Sequence, residues 1–205
     1  AELQGIFQSV SHLAPSPVDF LSHANRALAA SLEKHVFISV VYGVLDQKKE
    51  ELVLARGGHC PVATINLNGE ARFIRTSGLG LGLDRTHLFR QALTEESISL
   101  QPGDVFVLYT DGVVESRNAG GEEYGYDRLL HALREHRHED AHDLHAALLT
   151  DLNGFLGHET YDDDMTMMVM KWHGFDVLPV ARTEAVEETG ARPRTRRVEA
   201  EYQTE

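Results

Sequence analysis

Only one cysteine, Cys60, occurs in the 205 residues of this chain. A disulfide framework is therefore excluded, and the thiol count suits a reducing cytoplasmic setting. Long apolar runs are also missing, and no stretch of about 18 apolar residues offers a membrane span. No basic segment followed by an apolar run opens the chain, so no secretory leader is read. Basic residues are the scarcer charge, 19 against 32 acidic ones, for a formal net charge of −13. That balance denies the chain the basic surface needed for nonspecific binding to nucleic acid or anionic membrane. No internal repeat is seen.

What remains is enough for one globular domain, or for a domain and a tail, with 42% of residues hydrophobic. The first segment, 1–12, has Leu3, Ile6, Phe7 and Val10 on one helical face but no capping residue before it. Ser16-Pro17-Val18-Asp19 then starts a second helix, with Ser16 as cap and Pro17 in the first turn, running to about Glu33. Strands are expected over 37–45, 52–55, 62–67 and 70–75, the last two joined by the hairpin signal Asn68-Gly69. A long, half-exposed fifth strand is expected over 89–100 and a buried sixth over 105–110. Helices over 126–137 and 143–156 and a buried strand over 165–172 follow. This order implies an α+β fold of antiparallel sheets with helices outside them. Residues 1–174 form the expected domain, and 175–205, charged and poor in large apolar residues, read as a disordered tail.

Two stretches carry chemistry. Leu100 to Glu115 reads as a turn at Pro102-Gly103, a core strand, and an abrupt stop at Thr110-Asp111-Gly112. A carboxylate at the end of a buried strand is well mounted to hold a metal. Asp162, Asp163 and Asp164 immediately precede the last strand, 52 positions beyond Asp111 in the case of Asp163. If the two strands are neighbours, the carboxylates meet, and oxygen ligands of this kind favour Mg²⁺ or Mn²⁺. An ordinary strand-ending turn and a solvated acidic loop are the competing readings.

These two motifs together resemble the PPM-type metal-dependent protein serine/threonine phosphatases, in the bacterial branch of stage II sporulation protein E. Arg56-Gly57-Gly58-His59-Cys60-Pro61 resembles that branch's Gly-His-x-Pro turn, and the run Gly78 to Leu83 its glycine stretch. The resemblance implies a sandwich of two antiparallel sheets flanked by helices. It also implies two Mn²⁺ or Mg²⁺ ions whose activated water attacks phosphorus directly. It places metal ligands and catalytic groups at Asp111 and Asp163, while Asp164 ligates or orients water. The family's earlier Asp-x-x-Gly-x-Gly segment has no match here, which leaves the domain incomplete at its N-terminus by this reading. The implied substrate is a phosphorylated regulatory protein of the anti-sigma-factor antagonist type, in bacterial partner-switching signalling. Homodimerisation through the two opening helices is implied as well. A non-catalytic binding module lacking the first metal motif is the alternative.

A third reading is a zinc hydrolase, from His138-Glu139-x-x-His142, although that motif falls where one helix should end and the next begin. Asp140 is the expected cap of the second of these helices. Gly78 to Gly82 has neither dinucleotide nor P-loop spacing and reads as a mobile loop beside the sheet. His59 reads as a packed turn histidine.

Overall fold

The computed structural model describes residues 2–174, apart from 13, 30, 34, 85, 87 and 158–162. The tail expected at 175–205 lies outside the described residues. Helix α1 (Glu2–Val10) leads to α2 (Pro17–Leu28), which Ser16 caps by accepting from the Asp19 amide. Then come β1 (Val40–Asp46), β2 (Glu51–Gly57), β3 (Val62–Ile65) and β4 (Ala71–Ile74). Short α3 (Leu88–Ala92) precedes β5 (Glu95–Ser99) and β6 (Val105–Tyr109). A one-turn helix, α4 (Asp111–Val114), is followed by α5 (Gly125–Glu135), α6 (Ala141–Leu156) and β7 (Met167–Lys171).

All pairings are antiparallel. One sheet has the order β1-β2-β5 and the other β4-β3-β6-β7. Period-two alternation divides each strand between two faces. Phe106 and Leu108 of β6 meet Leu52 and Leu54 of β2 between the sheets, with Val62, Ile74 and Leu100. Val105, Val107 and Tyr109 turn the other way, onto Leu129 and Leu133 of α5 and Leu144, Leu148 and Leu152 of α6. On the far side, Ala55 of β2 and half-buried Val40 and Tyr42 of β1 pack under Phe20, Leu21, Ala24 and Leu28 of α2. The layers are therefore helix, sheet, sheet, helix, as the expected two-sheet sandwich requires.

Differences from the sequence expectations have local causes. The long strand expected over 89–100 is a helix and then a shorter strand. Phe89 and Leu93, four residues apart, both bury against the α2 layer, a helical spacing. Period two begins only at Glu95, and the break between them is fixed by Thr94, whose amide donates to the Ser77 carbonyl. The first strand starts at Val40, since Phe37 is 51% exposed and Ile38 forms only an isolated bridge to Leu81. Helix α2 ends at Leu28 rather than Glu33.

The glycine stretch is packed rather than a mobile loop. A Cβ on Gly78 would stand 1.8 Å from the Arg56 carbonyl oxygen, and one on Gly80 2.7 Å from Phe37. Leu81 between them is fully buried. Glycine here permits close backbone approach to β2 and to the segment before β1.

Candidate functional site

Strand β6 ends where β7 begins. Their register pairs Val105 with Lys171 and Tyr109 with Met167, so Asp111 leaves the sheet at the same edge where Asp163 and Asp164 enter it. The neighbouring of strands that the sequence left as a condition is met. Thr110 extends the join past the ladder. Its amide donates to the Thr166 carbonyl (3.0 Å), and its hydroxyl donates to the Asp164 carbonyl (3.2 Å) while accepting from the Thr166 amide (2.9 Å). Asp111 then opens α4 instead of a simple turn, with the Glu115 amide returning to the Asp111 carbonyl at 2.9 Å. Buried Ser116 donates to the Gly112 carbonyl and lies 3.8 Å from the Met165 sulfur, tying the far end of α4 to the acidic segment.

Asp111, Asp163 and Asp164 are all exposed. One oxygen of Asp111 accepts from the Gly112 amide (3.1 Å), and one oxygen of Asp163 from the Asp164 amide (2.7 Å). Carboxylates presented this way from two strand ends suit a hard divalent cation, which prefers oxygen. Among the described residues, however, no group of three or more His, Cys, Asp or Glu side chains is placed to hold a metal. Asp111, Asp163 and Asp164 thus share the end of the β6–β7 ladder without forming such a group. Tyr161 and Asp162 lie outside the described residues.

The neighbouring strands bring basic and neutral groups to the same edge. Arg56, at the end of β2, donates through Nε and Nη2 to the Thr76 carbonyl (3.1 and 2.6 Å) and through Nη1 to the His59 carbonyl (2.5 Å). It thereby staples the end of β4 and the Gly-Gly-His-Cys-Pro turn to the other sheet. Burial, first, and then the nearby positive charge of Arg75 push its pKa down. Half-buried Cys60 follows in that turn. Burial pushes its thiol pKa up, and the negative charges of Asp111 and Glu115 push it further.

With this geometry in hand, the likenesses to other proteins are specific. Residues 1–173 match the family described as stage II sporulation protein E, SpoIIE. This chain belongs to the SpoIIE family. Its curated relatives include the phosphoserine phosphatase RsbU of Bacillus subtilis, 24% identical over 156 residues, covering 76% of this chain and 45% of RsbU. Protein IcfG of Synechocystis is 30% identical over 98 residues, covering 48% of this chain and 15% of IcfG. The chain therefore spans under half the length of either relative. Among solved structures, the SiaA-PP2C domain of Pseudomonas aeruginosa superposes with a TM-score of 0.70 at 18% identity, covering 83% of this chain and 66% of that one. The two-sheet sandwich is the PP2C-type fold.

Within this SpoIIE-family domain Asp111 follows β6 and Asp163 and Asp164 precede its neighbour β7, while the zinc-like motif is split by a helix start. Asp140 caps α6 by accepting from the Asp143 amide (2.9 Å), so His138 and His142 fall on opposite sides of a helix start. Glu139 is engaged by His136 at 2.8 Å. Sequence reasoning missed Thr110, Ser116 and Arg75 as parts of the edge. The Thr110 clamp is unreadable without the β6–β7 register. Arg75 could have been placed from the Asn68-Gly69 hairpin, which fixes β4 against β3.

Proposed function

We propose that this SpoIIE-family domain is a metal-dependent protein serine/threonine phosphatase acting on a phosphorylated regulatory protein. The antagonist of an anti-sigma factor, in bacterial partner switching, is the substrate class that the resemblance favours. The observation carrying the reading is the shared edge of β6 and β7, where Thr110 and Gly112 hold Asp111 beside Asp163 and Asp164. RsbU, a relative across 76% of this chain, is named a phosphoserine phosphatase, which supports the same chemistry. Asp111, Asp163 and Asp164 would hold Mn²⁺ or Mg²⁺, which when bound supplies Lewis acidity and an acidified water at neutral pH. The chain's own part is to fix these carboxylates on rigid strand ends and to leave them open to a protein-sized substrate.

The test is phosphate release from a serine-phosphorylated protein in Mn²⁺. Asp111→Asn is expected to lower the rate by more than about 100-fold, the scale of losing a metal-held charge in a transition state. Equal rates for the wild type and Asp111→Asn would overturn the reading. No release by the wild type, with retained binding of the phosphoprotein, would favour the non-catalytic binding module instead.

A further inference from the structure

Arg75 is the arginine at this edge whose N–H donors have no acceptor among the described residues. It lies one residue beyond β4, next to the Val62–Ile74 pair, and is exposed. Its guanidinium carbon is 5.0 Å from the centre of the Phe73 ring and 5.3 Å from that of Tyr126. Those rings meet edge to face at 5.2 Å, so the guanidinium has a rigid aromatic seat. Among the described residues it makes no hydrogen bond and no ion pair. Its donor fork is oriented and unspent.

One buried polar group on the same face of this sheet is also unspent. Tyr109 is 2% exposed, and its hydroxyl has no partner among the described residues. A buried hydroxyl without a partner costs free energy, so it marks a position where water or a ligand is received. Strand geometry sets the scale. Strands β4, β3 and β6 are consecutive neighbours, so Arg75 and Tyr109 stand two strand spacings apart, about 10 Å between backbones. A side chain as long as arginine covers most of that gap, and Asp111 is only two residues beyond Tyr109. The positive charge of Arg75 is felt at both Arg56 and Tyr109.

We infer that Arg75, on its Phe73–Tyr126 seat and on the same sheet row as the Tyr109 hydroxyl, is a phosphate-recognition subsite that receives phosphoryl oxygens of the substrate. This rests on the phosphatase reading and adds a residue that selects for the phosphoserine over the unmodified protein. The planar fork suits two phosphoryl oxygens at once, a geometry lysine cannot reproduce.

The test separates the subsite from the reaction. In EDTA, the whole chain is titrated with inorganic phosphate and with phosphoserine, following the Arg75 Nε–H signal by NMR, assigned from its loss in Arg75→Lys. Saturable shifts are expected for both probes. Arg75→Ala should weaken binding about tenfold or more, and Arg75→Lys should restore only part of it. Asp111→Asn should leave this binding intact or tighten it, since it removes a negative charge from the same edge. Unchanged phosphate affinity in Arg75→Ala overturns the subsite, even if the Mn²⁺ assay shows full Asp111-dependent activity. Arg75-dependent phosphate binding in a chain that releases no phosphate supports the subsite and overturns the phosphatase reading alone.

Discussion

Gly112 and Asp164 touch through their backbones: a Cβ on Gly112 would stand 2.7 Å from the Asp164 carbonyl oxygen and 3.3 Å from its carbon. The glycine is needed for space, since its φ is not among the positive ones. Because the obstacle is backbone, Gly112→Ala must push the acidic segment away from α4. Overpacking of this kind costs about 1–3 kcal/mol. The expected result is a Tm lower by roughly 2–10 °C, together with weaker Mn²⁺-dependent phosphate release. A melt that superimposes on the wild type would mean the contact is not made.

Thr110 holds the same two segments by its hydroxyl, donating to one carbonyl of the acidic segment and accepting from one amide. Thr110→Val keeps the shape and removes both bonds, leaving polar backbone groups to find water. We expect a loss of about 1–3 kcal/mol in denaturant unfolding. Thr110→Ser should recover most of it. If valine and serine variants unfold alike, the hydroxyl is not the tie.

Why the contacts of these two residues were invisible beforehand, while Asp111 was not, comes down to range. Asp111 and Asp163 each sit at the end of an apolar run, and such runs are read from local order alone. The layered α+β architecture was legible for the same reason, from the continuous apolar run of β6 and from the Leu129–Leu133 and Leu144–Leu148–Leu152 stripes. Thr110 acts across 56 positions to Thr166, and Arg56 across 20 to Thr76. Nothing in a five-residue window announces such partners. The segment 89–100 was misread because Phe89 and Leu93 satisfy a strand's composition equally well. Only their burial under α2 selects the helix.

Cys60 offers a reporter of the site's charge. Burial raises its thiol pKa first, and Asp111 and Glu115 raise it further. The reactive species is the thiolate, so alkylation at pH 8 should run slower than for a free cysteine. Asp111→Asn removes one of the raising charges. The pH profile of iodoacetamide labelling should shift to lower pH in that variant, with faster labelling at pH 8. An unshifted profile would place Asp111 too far from Cys60 for the edge described.

The α5–α6 layer, which backs the site's sheet, should fail in alkali. Buried Tyr124 donates to Asp151 at 2.6 Å, and its phenol pKa is pushed up by burial and then by that carboxylate. Buried Tyr109 is pushed up mainly by burial. A raised folded pKa means that the folded state keeps its proton where the unfolded chain, near pH 10, releases it. Stability is therefore fully present below about pH 10 and is lost progressively as the pH climbs from there toward the folded-state values. Thermal melts between pH 8 and 12 should show a flat region followed by a steep fall. Tyr124→Phe should lower Tm in the flat region, because Asp151 loses its donor, and should make the fall shallower, because one of the linked tyrosine protons is gone. A variant that melts lower with an alkaline slope as steep as the wild type's would show that the Tyr124 proton does not carry the linkage.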